Sequence, residues 1–195
     1  MKNYLCYNSF TMPDNFLDVI FTRYSVRHFT GEGIPKKDLE TIVKAGMAAP
    51  SAVNLQPWSF IIVTERKALD TLNRKLPYAR MLAKATAAIV VCGKPDTISP
   101  LSLVTKAIAN VSAQDYWIQD CCAASENILL AAHAMGYGGV WTAVFPGKER
   151  IKAVRDVLHI PEHIVPLNVI PLGVPVGDEK PKDKFKKENL HWEQW

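Results

Sequence analysis

What the chain lacks narrows its chemistry first. No Gly-x-Gly-x-x-Gly follows a candidate strand and no Walker loop is present, so neither points to a dinucleotide fold or a P-loop. Gly-x-Ser-x-Gly is absent too, which leaves no candidate nucleophile elbow. His159 and His163 are four apart, but Pro161 interrupts any helical metal face and no Cys or carboxylate cluster completes the set, so no metal is expected. Cysteine is sparse. Cys6, Cys92, Cys121 and Cys122 show no paired spacing, and the adjacent Cys121 and Cys122 diverge within a helical pattern; reduced thiols in a cytoplasmic protein are expected. No apolar run reaches the length of a membrane span, and residues 1–16 have no continuous apolar core of the signal-peptide kind. A net charge of +4 is mild. Much of the excess sits at Lys180, Lys182, Lys184, Lys186 and Lys187, too local for a nucleic-acid footprint but suited to one small anion.

What is present suits one domain: 195 residues, 48% of them hydrophobic, can bury a core without staples. Residues 1–14 read as a loosely specified arm and residues 15–195 as the domain. A short helix from Asn15, capped by Asp14 or Asn15, carries Phe16, Val19 and Ile20 at helical spacing. Leu39, Ile42, Val43, Gly46 and Met47 define a second helix, begun near Pro35. Buried strands are predicted over 59–63, 87–92, 140–145 and 165–174, the last at a sheet edge or bent because of Pro166 and Pro171. Helices are predicted over 65–76, with Thr64 as cap, over 116–135 and over 148–158. The 116–135 helix is apolar nearly all round, so it must be buried nearly all round, and a partner subunit is a natural cover. His133 within it reads as a hydrogen-bonded core residue. Residues 94–114 fit a short helix or a lid. The sum is an α/β (α+β) sandwich of about four or five strands with helices on both faces.

Three stretches carry chemistry. Residues 49–58 (Ala-Pro-Ser-Ala-Val-Asn-Leu-Gln-Pro-Trp) join a helix to a strand without a single charge. Pro50 and Pro57 stiffen the connection and press Ala49 and Gln56 towards extended geometry. It reads either as a wall against a flat, uncharged ring or as a buried loop satisfying its own backbone. Upstream, Arg23, Ser25 and Arg27 would project to one side of an extended segment, and two guanidinium groups around a hydroxyl match a phosphate dianion; a solvated basic turn is the plainer alternative. Gly136-Tyr137-Gly138-Gly139 permits close backbone approach to a ligand or simply caps a helix. With the C-terminal lysines, these parts could hold one phosphate and one flat heterocycle, a description that FMN answers. The terminal His191-Trp192-Glu193-Gln194-Trp195 is costly to expose and is expected to pack on a partner chain.

Arg23-x-Ser25-x-Arg27-x-Phe29, then Ala49-Pro50-Ser51-x-x-Asn54-x-Gln56-Pro57-Trp58, resembles the nitroreductase family of FMN-dependent oxidoreductases, and Met135-Gly136-Tyr137-Gly138 followed by Trp141-Thr142 is similar to its later signature. The resemblance implies a central mixed sheet of four to five strands flanked by helices, in an intertwined homodimer with two FMN sites built from both chains. It implies that Arg23 and Ser25 serve the phosphate and ribityl end, that Arg27 approaches flavin N1 and O2, and that Tyr24 between them is also a cofactor-binding residue. Pro50, Ser51, Ala52, Asn54 and Gln56 would border the ring from the other subunit, with backbone of Trp141, Thr142 and Ala143 near the opposite face. Lys182 and Lys184 would complete the phosphate site, and residues 176–195 would embrace the partner. NADH or NADPH would donate hydride to flavin N5, and a nitroaromatic, quinone or similar small molecule would accept it in a ping-pong cycle, with no side chain acting as acid or base. No carboxylate follows the glycine turn at Thr142-Ala143-Val144, and residues 77–82 offer no asparagine for the flavin pyrimidine, two departures from some members. The alternatives on the same scaffold are a non-catalytic flavin store and a flavin-fragmenting or dehalogenating enzyme.

Overall fold

The computed structural model describes residues 16–98, 100–101, 103–104 and 113–195. The expected arm at 1–14, its capping residues and much of 94–114 lie outside these; residues 100, 101, 103 and 104 are helical. The principal elements are α1 (Phe16–Thr22), α2 (Lys36–Met47), β1 (Trp58–Val63), α3 (Arg66–Lys75), β2 (Ala87–Gly93), α4 (Trp117–Ala134), β3 (Gly138–Gly139), β4 (Thr142–Ala143), α5 (Lys148–Leu158) and β5 (Val165–Gly173). The strand order is β1-β2-β5-β3, with β4 also on β5, and all four ladders are antiparallel.

β2 shows why the sheet lies in the middle. Every residue from Ala87 to Gly93 is buried. Ala87, Ile89 and Val91 face α2 and α4, where Leu39, Ile42, Cys121, Ala124 and Ile128 complete one core. Ala88, Val90 and Cys92 face the other way, into a second core with Leu69 and Leu72 of α3 and Val154 of α5. The strand's side-chain period of two sorts one apolar run into two cores.

Of the two positions expected for the last strand, an edge or a bend, the edge is excluded. β5 pairs with β2 on one side and with β3 and β4 on the other, so it is central. The expected bend is present. Val91 pairs with Asn168 but Cys92 with Pro166, which leaves Leu167 as an extra residue in the ladder. Pro171 has a second effect. Gly139 pairs with Leu172 and Thr142 with Val169, so the same register puts Val140 and Trp141 opposite Pro171 and Ile170. Pro171 has no N–H to donate there; of the strand expected over 140–145 only Thr142–Ala143 is formed, as β4, while β3 falls on Gly138–Gly139, before the expected start. On the outer side of β3, Gly139 O accepts from the Val26 amide at 3.0 Å.

α4 ends in a Schellman turn: Gly136 adopts φ 83°, Gly136 N–H donates to His133 O at 3.0 Å and Tyr137 N–H to Ala132 O at 2.8 Å. Its buried stripe runs through Trp117, Cys121, Ala124, Ile128 and Ala132, while Ile118, Cys122, Ala123 and Ala131 are half-buried within the single chain. The α3 N-cap is Glu65, without a side-chain capping bond, rather than Thr64.

Candidate active site

The uncharged connection begins where α2 runs out. Ser51 is extended at φ −144° and ψ 154°, and Ala52–Asn54 form one 3-10 turn. Val53, Asn54 and Gln56 all have positive φ, at 45°, 54° and 50°. Gln56, expected in extended geometry before Pro57, is therefore left-handed. The reason is local: its amide donates to Ser51 Oγ at 3.0 Å and its Nε2 to Asn54 Oδ1 at 3.1 Å, folding the side chains into a closed ring of polar contacts. The loop satisfies its own polar groups, yet it is not buried, since Pro50, Asn54 and Gln56 are exposed. Left-handed backbone at non-glycine residues costs about 1–3 kcal/mol each and persists where surroundings over-determine it, commonly at functional sites.

The second stretch leaves α1 at Arg23. Val26 is buried against Gly138, where an added Cβ would come within 2.6 Å of the valine. Phe29 is buried against Gly173 and bridges Pro175. With these two apolar anchors in place, Arg27 is left exposed while Arg23 and Ser25 are partly buried. The two guanidinium groups have separate carboxylates: Arg23 Nε lies 3.2 Å from Glu126 Oε1 on α4, and Arg27 Nη1 lies 4.0 Å from Glu179 Oε1. The Ser25 hydroxyl has no hydrogen bond among the described residues. Tyr24 meets His133 edge to face at 6.0 Å, and burial, then Glu179 and Asp178, raise its phenol above the usual range.

The C-terminal segment reaches the same edge. Thr30 N–H donates to Val174 O and Val176 N–H to His28 O, so the chain runs antiparallel to residues 28–30. Glu179 Oε2 then accepts from the amides of Arg27 at 2.8 Å and His28 at 3.4 Å. Lys182 and Lys184 follow, both exposed. His28, Asp178 and Glu179 have ligand atoms within 4.8 Å of one another. The His28 Nδ1–Asp178 Oδ2 contact at 2.7 Å and the amide bonds to Glu179 already engage all three, so the group reads as an ion-pair cluster.

Thr142 and Ala143, in β4, lie on the same side of β5 as β3, whose Gly139 O accepts from the Val26 amide. Thr142 is buried and its hydroxyl donates to Val169 O at 2.5 Å, so this stretch has backbone rather than a hydroxyl to offer. Arg150 Nη1 donates to Ala143 O at 3.1 Å. Leu76, Pro77, Tyr78 and Ala79 close a cleft against Thr142, Ala143 and Arg150.

Sequence reading missed the carboxylates behind these cations and behind the loop. Asp120 on α4 accepts the Ala52 amide at 3.1 Å through Oδ1 and is buried, which raises its carboxyl while that amide opposes the rise. An acid on the apolar stripe of a helix was the available signal. Glu126 and Glu179 carried none, because exposed acids are ordinary. No hydrogen bond or ion pair among the described residues joins loop 50–56 to Arg23, Ser25 or Arg27 within one chain.

Comparison with known proteins gives a consistent picture. A protein of Archaeoglobus fulgidus, provisionally named NADH dehydrogenase/NAD(P)H nitroreductase, is 43% identical over 183 residues, covering 92% of this chain and 98% of that protein. The crystal structure of a Parabacteroides distasonis protein with the same provisional name superposes with a TM-score of 0.80 at 46% identity, covering 92% of this chain and 98% of its own. A Desulfovibrio desulfuricans protein, described as a nitroreductase on a provisional basis and solved in complex with FMN, has a TM-score of 0.73 at 25% identity and covers 94% and 99% of the two chains. The profile of the nitroreductase family matches residues 20–177, and the chain belongs to that family.

Proposed function

We propose that the chain is an FMN-dependent oxidoreductase working as a homodimer, passing hydride from NADH or NADPH to small nitroaromatic, quinone or similar acceptors. The observation that carries this reading is the donor set on one edge of the fold. The Ser25 hydroxyl, without a hydrogen bond among the described residues, stands between Arg23 and Arg27 in the chain, and exposed Lys182 and Lys184 follow the segment paired to residues 28–30. Guanidinium, ammonium and hydroxyl donors of this kind fit a phosphate monoester. The neutral loop from Pro50 to Gln56 fits a flat ring with no formal charge, so the residues present suit FMN.

Arg23, Ser25, Lys182 and Lys184 would hold the phosphate end, with Tyr24 beside them as a neutral phenol. Arg27 would place its charge at the pyrimidine side of the ring, favouring the reduced state. Pro50, Ser51, Ala52, Asn54 and Gln56 of one protomer would border the ring held by its partner, and the backbone of Trp141 to Ala143 would approach the other face. Bound FMN supplies the hydride chemistry, and the protein's part is binding, orientation and electrostatic tuning. One open ring face would serve donor and acceptor in turn, a ping-pong cycle with protons drawn from solvent.

The homodimer is supported by apolar surface that one chain leaves uncovered: Phe16 and Phe21 of α1, and Phe185, Leu190, Trp192 and Trp195 of the tail. Residues 15–195 would form one domain, with 176–195 reaching onto the partner. No helix among the described residues is long and apolar enough to cross a membrane. Cytoplasmic location is supported by Cys92, Cys121 and Cys122, which are free thiols in the fold.

The test is direct. Purified protein should be yellow, or become so on adding FMN, and anaerobic NADH or NADPH should bleach it. A flavin that binds but does not bleach would point to a flavin store; a chain that never takes up FMN would end the reading.

A further inference from the structure

Loop 51–56 carries three left-handed non-glycine residues, one of them the β-branched Val53. Its hydrogen bonds are almost all internal: Asn54 N–H to Ser51 O, Leu55 N–H to Ala52 O, Gln56 N–H to Ser51 Oγ and Gln56 Nε2 to Asn54 Oδ1. Bonds of that kind shape the loop but do not tie it to the body of the fold. Among the described residues, the one hydrogen bond from this loop to another element is Ala52 N–H to Asp120 Oδ1, at 3.1 Å.

Asp120 is an unusual residue for that task. It is 6% exposed, and its Oδ2 is buried without a hydrogen-bond partner among the described residues. Its neighbours on the α4 stripe are Trp117, Cys121 and Ala124, so an apolar side chain would suit the packing better. A half-satisfied buried carboxylate is costly. Asp120 lies in the first turn of α4, where an acid gains from the helix dipole, but that gain is available at an exposed position as well and does not require burial. The contact that does require this position is the one to Ala52.

We propose that Asp120 is a positioning residue for the flavin-bordering loop, its carboxylate holding Ala52 so that residues 51–56 keep their left-handed shape against the ring. The proposal rests on the FMN reading above. Asp120 touches neither cofactor nor substrate; it acts through Ala52.

Three variants of the FMN-loaded protein test it, read by amide hydrogen exchange over residues 53–56 and by the visible circular dichroism of bound FMN. Asp120→Asn keeps an oxygen acceptor and should stay close to wild type in both. Asp120→Ala should raise exchange in the loop at least tenfold, with little change in β2, and alter the flavin band. Ala52→Pro removes the donor without opening a cavity under α4, and the extended Ser51 before it is compatible with proline. It should reproduce the Asp120→Ala change in exchange and dichroism, and it stands in for that variant should Asp120→Ala not fold. Wild-type exchange and an unaltered flavin band in a folded Asp120→Ala or Ala52→Pro protein would overturn the proposal. Should wild type take up no FMN while loop exchange still rises in the variants, the FMN reading fails and the Asp120–Ala52 anchor survives.

Discussion

Glu126 holds the Nε of Arg23 at 3.2 Å, so a carboxylate on α4 fixes the first guanidinium of the proposed phosphate site. The Arg23 side chain is largely buried, whereas Glu126 is half-exposed. The arginine is the part that a phosphate would meet, and the glutamate only orients it. Arg23→Ala should therefore weaken FMN binding by roughly ten- to a hundredfold, the loss of about 1.5–3 kcal/mol typical of a charged hydrogen bond. Glu126→Gln, removing a solvent-screened partner, should change affinity by less than about fivefold. Flavin fluorescence titration checks both, and unchanged affinity in Arg23→Ala would remove that residue from the site.

The contact between Gly138 and Val26 makes a second prediction. A Cβ on Gly138 would come to 2.6 Å from Val26, the residue between Ser25 and Arg27. A Cβ on Gly93 would come to 2.1 Å from the Trp117 ring, in the core and far along the chain from those donors. Overpacking of this kind costs about 1–3 kcal/mol. Gly138→Ala and Gly93→Ala should both lower the melting temperature, but Gly138→Ala should lose FMN affinity at a temperature where both are folded. Equal affinity in the two variants would separate Val26 from the binding edge.

His133 should shape the acid limb of the stability curve. Burial, then the Arg23 charge, lowers its pKa below the usual 6.5. The folded state therefore disfavours the imidazolium more than the unfolded chain does. Stability from this group is full above about pH 6.5, the unfolded value, and is lost as pH falls through the folded value. Thermal melts between pH 7.5 and 5 should show a steeper decline for wild type than for His133→Gln; parallel declines would exclude this residue as a cause.

Asn168 and Ser125 should behave as a unit under β5. Asn168 Nδ2 donates to Ser125 Oγ at 2.8 Å, Ser125 Oγ donates to Cys121 O at 2.7 Å, and Asn168 Oδ1 is buried with no partner among the described residues. Ser125→Ala leaves the Asn168 amide group unpaired and should cost about 1–3 kcal/mol. Replacing both, Ser125→Ala with Asn168→Leu, should recover most of that loss. Urea denaturation of the singles and the double measures the coupling, and additive costs would contradict it.

The tail offers a test of assembly. Trp192 and Trp195 are exposed on one chain, and His191 stacks on Trp195 at 4.4 Å. Truncation after Lys187 should shift a dimer towards monomer in sedimentation at micromolar concentration. Full-length protein should show tryptophan emission shielded from acrylamide; identical sedimentation of the two chains would place the dimer contact elsewhere.

What depends on neighbours along the chain is legible in the residues alone. Apolar periodicity marked the long helix and the buried strands, because burial on one or two faces imposes a period. Two arginines around a serine, and an uncharged stretch between prolines, are what the sequence offers for the proposed binding parts, because phosphate and a neutral ring call for those groups. The tertiary structure decided what depends on pairing. Pro166 and Pro171 suggested an edge or a bend; β5 is central and irregular, its bulge at Leu167 and the gap opposite Pro171 absorbing the missing N–H groups. Gln56 is left-handed because Ser51 and Asn54 close on it, a set of contacts that outweighs the preference of a residue before proline. Asp120, Glu126 and Glu179 acquired their partners only when α4 and the C-terminal segment came to lie beside residues distant in the chain, for a carboxylate's role depends on which cation or amide the fold brings to it.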